Sequence, residues 1–400
     1  RDIREELRLN GFKLSGFIDN NPVKSGEGRK CLGVPVIFPQ ELQLQQKPLV
    51  IICSKYFREM SSQLEQLGFC QDDYLRIPID DDAHTYDDSC EAMEESFDKV
   101  LGGCRTYDEL MKRHSSLDRI FLCPYPGTGD IYVACTFLPE YLRENNIHKY
   151  IILVVGNSCR KVADLFEKGN VVAISKETCE ELLKFWEFTG EDTVIKPLLY
   201  WGWRTKRYLY ADNHPQISFT EMFMHDVFEF DEYKTMSLPE QQDKAEARRL
   251  FLKEGLKEGK TVIIAPYAGS FVSEISYDTW EIIAESLMEE GYVVATNCNG
   301  DIEKPIAGTK RIFYEYSQAI PFVELAGCFV GIRSGLCDVI SSAKCKKIIL
   351  YENGFNATRM SYFGLRKMGL CIDDIVEIDY SGFEDKKLID EVCNAISTGL

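Results

Sequence analysis

The chain has 400 residues, of which 45% are hydrophobic and 28% are charged, which is enough for more than one folded core. Its 46 Lys plus Arg against 64 Asp plus Glu give a formal net charge of −18. This charge argues against a general nucleic-acid or anionic-membrane binder, because polyanions attract basic surfaces. Fifteen cysteines without a C-x-x-C pair and five histidines without an H-x-x-x-H pair favour reduced thiols and no metal site. With no signal peptide and no apolar run of about 20 residues visible, we expect a cytoplasmic protein.

The first 80 residues alternate between strand and helix patterns. Strands are predicted at Leu14–Ile18, in GVPVIF and in KPLVIIC, and an amphipathic helix is predicted in YFREMSSQLEQLGF with Gly68 at its end. The alternation predicts a small Rossmann-like α/β module over residues 1–80. The acidic stretch that follows has too few large apolar residues for a strand, so residues 81–117 are predicted to form an acidic connector, with a partly helical one as the alternative.

Two further α/β regions follow the connector. In residues 118–240, buried strands are predicted up to Cys123, in YIILVVG and in NVVAIS, with helices between them. A helix predicted over Pro239–Lys260 leads into residues 241–400, where TVIIAP, YVVATN, FVGIRSG and KKIILY have the same character. Such alternation predicts two parallel-sheet domains, residues 118–240 and residues 241–400, facing a ligand cleft.

Polar loops follow the buried strands, at the sheet edge where parallel α/β folds bind ligands. The loop PGTGDIY presents Asp130 at a helix start, either as a base facing the cleft or as a helix N-cap. The loop APYAGS is a turn of small residues that admits a phosphate or sugar close to the main chain. In GIRSGLCDVISSA, Arg333 offers a guanidinium fork to a diphosphate, or pairs with a carboxylate of the acidic surface. The aromatic and basic YWGWRTKRYLY, from Tyr200, is an acceptor-contact candidate with packing as the alternative.

These loops resemble the heptosyltransferase-type glycosyltransferases of family 9, which have the two-domain GT-B fold. The resemblance covers roughly Asp118–Ile396. It rests on Gly129-Asp130 at the strand-to-helix turn, on APYAGS with Trp280 eleven residues after Gly269, and on GIRSGLCDVISSA. In that family the turn aspartate is the proposed general base, which implies this role for Asp130. The resemblance also implies that two loops hold the sugar nucleotide, through Tyr267, Ala268, Gly269, Ser270, Ser334, Gly335 and Leu336.

The third loop departs from the family pattern at two positions. Arg333 replaces an acidic residue, and Asp338 stands where the family usually has a histidine. We predict that Arg333 binds the donor diphosphate, with Asp338 also on the donor side and Glu352 holding a ribose diol. The resemblance implies inversion at the anomeric carbon, and neither a metal nor a cofactor is needed if cations and helix dipoles stabilise the leaving group.

The N-terminal module resembles the small nucleotide-binding-like domain at the start of sugar acetyltransferases, through GFIDNNPVKSG, GVPVIFPQEL and VIICS. Asp19 fits the place of the acid that binds a ribose after the second Rossmann strand. The Gly-rich phosphate loop is absent from the sequence before it, so we expect an accessory role for the module.

As a whole, the sequence predicts a glycosyltransferase of polysaccharide biosynthesis. It would move a sugar from a nucleotide-diphosphate donor to a glycan, lipid-linked glycan or protein acceptor, with no nucleic-acid partner. One alternative is a non-catalytic nucleotide-sugar-binding or scaffold protein of the same fold. The other is a sugar-nucleotide epimerase, which would convert the donor without an acceptor.

Overall fold

The computed structural model divides the described residues into two compact units, with the boundary between Arg76 and Cys90. The described residues are 13–20, 26, 28–31, 34–42, 48–52, 57–70, 73–76, 90–114, 116–167, 169–190, 193–200, 218–240, 242–269, 275–352, 359–371 and 374–397.

The first unit is a small α/β module built from two short strand groups. Strands β1 (Phe17–Ile18), β2 (Lys30–Cys31) and β3 (Val34–Ile37) pair in the order β1-β3-β2, with β1 parallel and β2 antiparallel to β3. Strands β4 (Val50–Ile52) and β5 (Tyr74–Arg76) are parallel, and helix α1 (Phe57–Gln66) lies between them in the chain. The core of this unit is formed by Val50, Ile52, Leu64, Phe69 and Tyr74. The predicted strand Leu14–Ile18 is shorter than expected, since only β1 pairs.

The second unit begins with a helix and a parallel sheet. In chain order the elements are α2 (Cys90–Arg113), β6 (Arg119–Cys123), α3 (Thr128–Glu144), β7 (Tyr150–Val155), α4 (Gly156–Ala163), β8 (Val171–Ile174), α5 (Lys176–Thr189) and β9 (Ile195–Pro197). Within the described residues, the four strands are all parallel, in the order β8-β7-β6-β9. Three strands predicted from apolar runs are therefore present, with β9 added at the edge.

Helix α2 occupies the greater part of the segment for which the sequence predicted an acidic connector. It packs along α5, and the contact depends on a glycine pair: a Cβ at Gly103 would lie 2.6 Å from the Cβ of Phe185, and one at Gly102 would clash with the Glu181 carboxylate. Apolar side chains at helical spacing then reach the sheet core, from Val100, Cys104, Tyr107 and Met111. The acidic residues at the start of the helix concealed this amphipathic pattern.

The described residues between Ser218 and Lys260 contain two helices and lead to the second sheet. Helix α6 (Phe219–Met222) starts at Ser218, which makes a capping box with Glu221, and continues into a π-helical turn at Phe223–Val227. Helix α7 (Lys244–Lys253) follows. It is shorter than the helix predicted over Pro239–Lys260, because Asp243 caps its start and Gly255 adopts a φ of 64° just after its end.

The second sheet is larger and is also parallel. Its elements are β10 (Thr261–Ala265), α8 (Tyr277–Glu289), β11 (Val293–Asn297), β12 (Lys310–Ile312), α9 (Tyr316–Ala326), β13 (Gly327–Ile332), α10 (Gly335–Val339), β14 (Lys346–Tyr351), α11 (Arg359–Phe363), β15 (Ile375–Asp379) and α12 (Asp385–Ser397). Six described strands lie in the order β12-β11-β10-β13-β14-β15. The predicted α/β class with parallel sheets is confirmed.

The chemistry of the described residues adds two observations. No helix among them is long and apolar enough to cross a lipid bilayer. The cysteines in the described part of the chain are free thiols, and most are buried, as Cys123 and Cys328 illustrate. Buried cysteines of this kind pack as small apolar side chains.

Candidate functional site

The first and third predicted loops contact each other directly in the second unit. Gly335, at the start of α10, packs so closely on the start of α3 that a Cβ there would clash with Thr128 Oγ1 and lie 2.7 Å from the Gly129 nitrogen. In return, a Cβ at Gly129 would lie 2.5 Å from Asp338 Oδ2. The turn after β6 and the turn after β13 therefore meet through main-chain atoms, and the two sheets share one candidate site.

Asp130 lies in the first turn of α3, and the N-cap position belongs to Gly127. The Asp130 carboxylate folds back over that glycine, where a Cβ would clash with Oδ2. Its Oδ1 accepts a hydrogen bond of 2.8 Å from the Tyr200 hydroxyl, which comes from the chain just beyond β9. Asp130 is therefore not the N-cap residue, and its carboxylate is held by a side chain 70 residues away.

The environment of Asp130 keeps its carboxyl group near the point of titration at neutral pH. Burial raises the pKa of Asp130 from 3.8 to about 6, against the opposing hydrogen bond from Tyr200. The negative charge of Asp338 raises this pKa further, and the positive charge of Arg333 lowers it. A half-buried carboxylate with such a pKa is suited to accept a proton at physiological pH.

Arg333, which the sequence predicted to bind the donor diphosphate, is buried in a two-pronged ion pair with Asp338. Its Nη2 donates to Asp338 Oδ1 at 2.6 Å and its Nη1 donates to Asp338 Oδ2 at 2.9 Å. The Nε donates to the Phe363 carbonyl at 2.9 Å, and Nη1 also donates to the Ser334 carbonyl at 2.6 Å. Only 6% of Arg333 and 1% of Asp338 are exposed. The alternative of pairing with a carboxylate is the one that the structure contains, although this carboxylate is buried and not on the surface.

The remaining residues predicted for the donor lie at several places along the second sheet. Ser334 and Leu336 are half-buried beside Gly335, and Ser334 Oγ lies 3.7 Å from Cys337 Sγ. Tyr267 donates its hydroxyl hydrogen bond to the Lys304 carbonyl at 2.6 Å. Ala268 is half-buried and Gly269 is exposed, whereas Ser270 lies outside the described residues.

Two other predicted acids have protein partners. Glu352, just after β14, accepts a hydrogen bond of 3.0 Å from the Tyr380 hydroxyl. Asp19 belongs to the first unit, where its backbone nitrogen donates to the Ile37 carbonyl at 3.1 Å. In the part of the chain that the structure describes, no group of three or more His, Cys, Asp or Glu is arranged to hold a metal ion.

Tyr125 is a site residue that the sequence did not single out. Tyr200 begins the acceptor-contact candidate YWGWRTKRYLY, and the rest of that segment lies outside the described residues. Tyr125 is 1% exposed and stacks on Tyr200 with ring centroids 4.6 Å apart. Strands β6 and β9 are parallel neighbours, so the residues that follow their carboxyl ends meet at the same edge of the sheet. That rule would have indicated both tyrosines if β9 had been recognised as a strand.

Comparisons with known proteins give distant likenesses. No family model and no curated protein matches the chain. Among solved structures, the chain is similar to the ADP-heptose lps heptosyltransferase II of E. coli, at 13% identity, with 70% of this chain and 98% of that chain covered and a TM-score of 0.49. It is also similar to a glycosyl transferase of family 9 from Veillonella parvula, at 13% identity, 69% and 89% coverage and a TM-score of 0.44. A third is the E. coli heptosyltransferase WaaC with ADP, at 11% identity, 70% and 99% coverage and a TM-score of 0.43.

Proposed function

We propose that this chain is a glycosyltransferase that moves a sugar from a nucleotide-diphosphate donor to a glycan, lipid-linked glycan or protein acceptor. The observation that carries the proposal is the Asp130 carboxylate, which is half-buried, held by Tyr200 and raised in pKa to about 6. Such a group is a general base matched to neutral pH. The sequence resemblance to family 9 supports the same role for this residue.

Asp130 acts on the acceptor. Its carboxylate takes the proton from the acceptor hydroxyl as that oxygen attacks the anomeric carbon of the donor sugar. The bond from the anomeric carbon to the diphosphate breaks, and its electron pair leaves with the nucleotide diphosphate. Attack from the side opposite the leaving group inverts the anomeric configuration.

The donor binds along the turns that follow β10 and β13 in this proposal. The residues proposed to hold the donor are those implied by the resemblance, namely Tyr267, Ala268, Gly269, Ser270, Ser334, Gly335 and Leu336, with Glu352 on the ribose. We assign Arg333 and Asp338 a different task from the predicted one: their ion pair fixes the turn that carries Ser334 and Gly335. The transfer requires no metal in this proposal, so chelation by EDTA should leave the rate unchanged.

The test is the variant Asp130→Asn, with Asp164→Asn as the matched control. Asp164 is an aspartate of the same sheet region whose carboxylate pairs with Arg160 at 3.5 Å, away from the site contacts described above. We expect Asp130→Asn to reduce transfer at least 100-fold, on the order of a lost general base, while calorimetric binding of the preferred nucleotide diphosphate is retained. UDP, GDP, ADP, CDP and dTDP should be titrated in turn. Transfer by Asp130→Asn at the rate of the control would refute the base role.

A second candidate is a non-catalytic nucleotide-sugar-binding or scaffold protein. It is favoured by the direct packing of Gly335 on Thr128 and by the burial of Arg333 within the protein. Nucleotide binding without turnover in the unmodified chain would support it. An epimerase would instead convert the donor sugar with no acceptor present.

The place of the protein in the cell and the role of its first unit are parts of the same proposal. We assign the enzyme to polysaccharide biosynthesis in the cytoplasm, where nucleotide sugars are the donors. The first unit serves as an accessory module, with Asp19 as its candidate ribose-binding acid. A calorimetric stoichiometry that falls from two bound nucleotides to one in Asp19→Ala would reveal this second site.

A further inference from the structure

We infer that Tyr200 is a positioning residue that sets the orientation and proton affinity of Asp130, and that Tyr125 fixes Tyr200 in place. The inference rests on the proposed function for its catalytic meaning, but the arrangement of the three residues can be tested without turnover. It adds to the candidate site two tyrosines to which the family resemblance assigns no role.

The first step is the contact between Tyr200 and the carboxylate. The Tyr200 hydroxyl donates to Asp130 Oδ1 at 2.8 Å, which is the geometry of a sound hydrogen bond to an ionised acceptor. Oδ2 lies over Gly127, which has no Cβ to obstruct it. One oxygen is therefore held by the phenol, and the carboxylate plane cannot rotate without breaking this bond.

The second step is the way in which Tyr200 is itself held. Tyr125 has a hydroxyl that is used twice: it donates to the Leu198 carbonyl and accepts from the Tyr200 backbone nitrogen at 2.8 Å. These two bonds fix the main chain on both sides of residue 199. Because Tyr125 is buried and lies at the end of β6, it anchors the exit of β9 to the strand beside it.

The third step is the packing of the Tyr200 ring. It stacks on Tyr125 at an interplanar angle of 14°, and Phe219 and Phe223 pack against it with centroids 5.4 Å away. Aromatic neighbours in stacked and edge-on arrangements leave little freedom for the ring to turn. The phenol is therefore presented to Asp130 in one orientation before any ligand arrives.

The other charged and titratable groups around Asp130 come from four parts of the second unit. Arg333 and Asp338 act from the turn after β13 and from α10, Cys159 from α4, and Tyr125 from the end of β6. Tyr200 donates a side-chain hydrogen bond to the Asp130 carboxylate and stabilises its ionised form. Its removal therefore has an effect of known sign: the ionised carboxylate loses a donor, and Asp130 holds its proton up to a higher pH.

The experiment is a ¹³C NMR titration of the Asp130 carboxyl carbon in the full chain labelled at aspartate, with the signal assigned by its loss in Asp130→Asn. Tyr200→Phe keeps the ring and removes only the hydroxyl, so we expect the midpoint to rise by about one pH unit. Tyr125→Phe should raise it by less, since it acts through Tyr200. Tyr314→Phe is the matched control, because this tyrosine is 5% exposed and its hydroxyl has no hydrogen-bond partner among the described residues. It should leave the midpoint unchanged.

A measurement without substitution covers the case in which Tyr200→Phe fails to fold. Incorporation of 3-fluorotyrosine makes every tyrosine hydroxyl a stronger donor, and should move the Asp130 midpoint downward. A midpoint that stays within about 0.2 unit of the unmodified protein in Tyr200→Phe, or an equal rise in Tyr314→Phe, would overturn the inference. An upward or absent shift on fluorination would overturn it as well.

Transfer rates separate this inference from the proposed function. If Asp130 is the base, the ratio of the kcat of the unmodified chain to that of Tyr200→Phe should be about threefold larger near pH 6.5 than near pH 8. The reason is that less of the variant's carboxylate is ionised at the lower pH. A purely structural loss would lower kcat equally at both. A shifted NMR midpoint in a chain without turnover would keep the positioning role of Tyr200 and refute the glycosyltransferase.

Discussion

We predict that breaking the buried ion pair between Arg333 and Asp338 will lower the free energy of unfolding of the ligand-free protein. The pair is 6% and 1% exposed, and both prongs of the guanidinium are engaged. Asp338→Asn leaves the arginine charge buried without a counter-ion, and Arg333→Met leaves the aspartate in the same condition. Each change should lower the free energy of unfolding by about 3–5 kcal/mol, the usual cost of leaving one partner of a buried pair alone.

The neutral double variant should be far less damaging than the sum of the two single variants. Arg333→Met with Asp338→Asn removes both charges together, so the uncompensated charge disappears. We expect a coupling energy of about 2–3 kcal/mol in this cycle, as for residues in one hydrogen-bonded network. The surface pair of Arg249 with Glu246 provides the control: Glu246→Gln, at an exposed site, should move the unfolding midpoint little.

The assay is thermal unfolding followed by far-UV circular dichroism, with urea unfolding as the second measurement. A loss of 3 kcal/mol corresponds to a fall of roughly 6 to 12 °C in the midpoint for a domain of 150–250 residues. If Asp338→Asn unfolds within 1 °C of the unmodified chain, the guanidinium is not held by Asp338. If Arg333→Met then also weakens nucleotide-diphosphate binding, the diphosphate role predicted from the sequence would be restored.

Three further predictions follow from particular contacts. Gly335→Ala should lower the unfolding midpoint and weaken the packing of the two sheets, because its Cβ would clash with Thr128; hydrogen exchange at the start of α3 should report the change. Asp130→Asn should raise the free energy of unfolding near pH 8, because a carboxyl whose folded-state pKa is raised to about 6 destabilises the fold above that pH. Urea unfolding at several pH values should show that this gain in stability fades as the pH falls from 6 toward 3.8. Cys31 and Cys70, both exposed, should react with a thiol reagent in the folded protein ahead of the buried cysteines, as mapped by peptide mass spectrometry.

Each of these has a control and a contrary outcome. Gly269→Ala is the comparison for Gly335→Ala, because nothing lies within 4 Å of the Cβ it would add; equal losses of stability would refute the clash. A stability gain for Asp130→Asn that persists below about pH 3.8 would show that the carboxyl is not the titrating group. Labelling of Cys123 as fast as Cys31 would contradict the burial of β6.

The sheets were predictable because buried parallel strands appear in the sequence as apolar runs. YIILVV and TVIIA are such runs, and both are strands of the structure. For helix α2 the sequence indicated no more than a partly helical connector, because its acidic first turns dominate the composition. The burial of the helix depends on Gly102 and Gly103 and on a partner helix far away in the chain. Local propensity overextended α7 beyond Gly255, where a backbone with positive φ ends the helix.

The candidate site could be predicted only where it follows strand ends. That principle indicated the turns carrying Asp130 and Ser334, and the structure brings these two turns into contact. It could not say what Arg333 would face, since an aspartate five residues later and a diphosphate both offer negative charge and paired oxygen acceptors to a guanidinium. Nor could it place Tyr200 beside Asp130, because β9 is a three-residue strand without an apolar run.

The glycine contact between the two turns makes the proton affinity of Asp130 depend on residues of the other sheet. Gly129 and Gly335 keep the turn after β6 packed on the turn after β13, and Arg333 and Asp338 of that second turn and helix act on the pKa of Asp130. A side chain added at position 335 would push the two turns apart and reduce the burial of Asp130, so we expect its pKa to fall toward the value of a free aspartate. The pKa of Asp130 would then change with the separation of the two sheets, so a titration of this one residue measures how closely the turns after β6 and β13 pack.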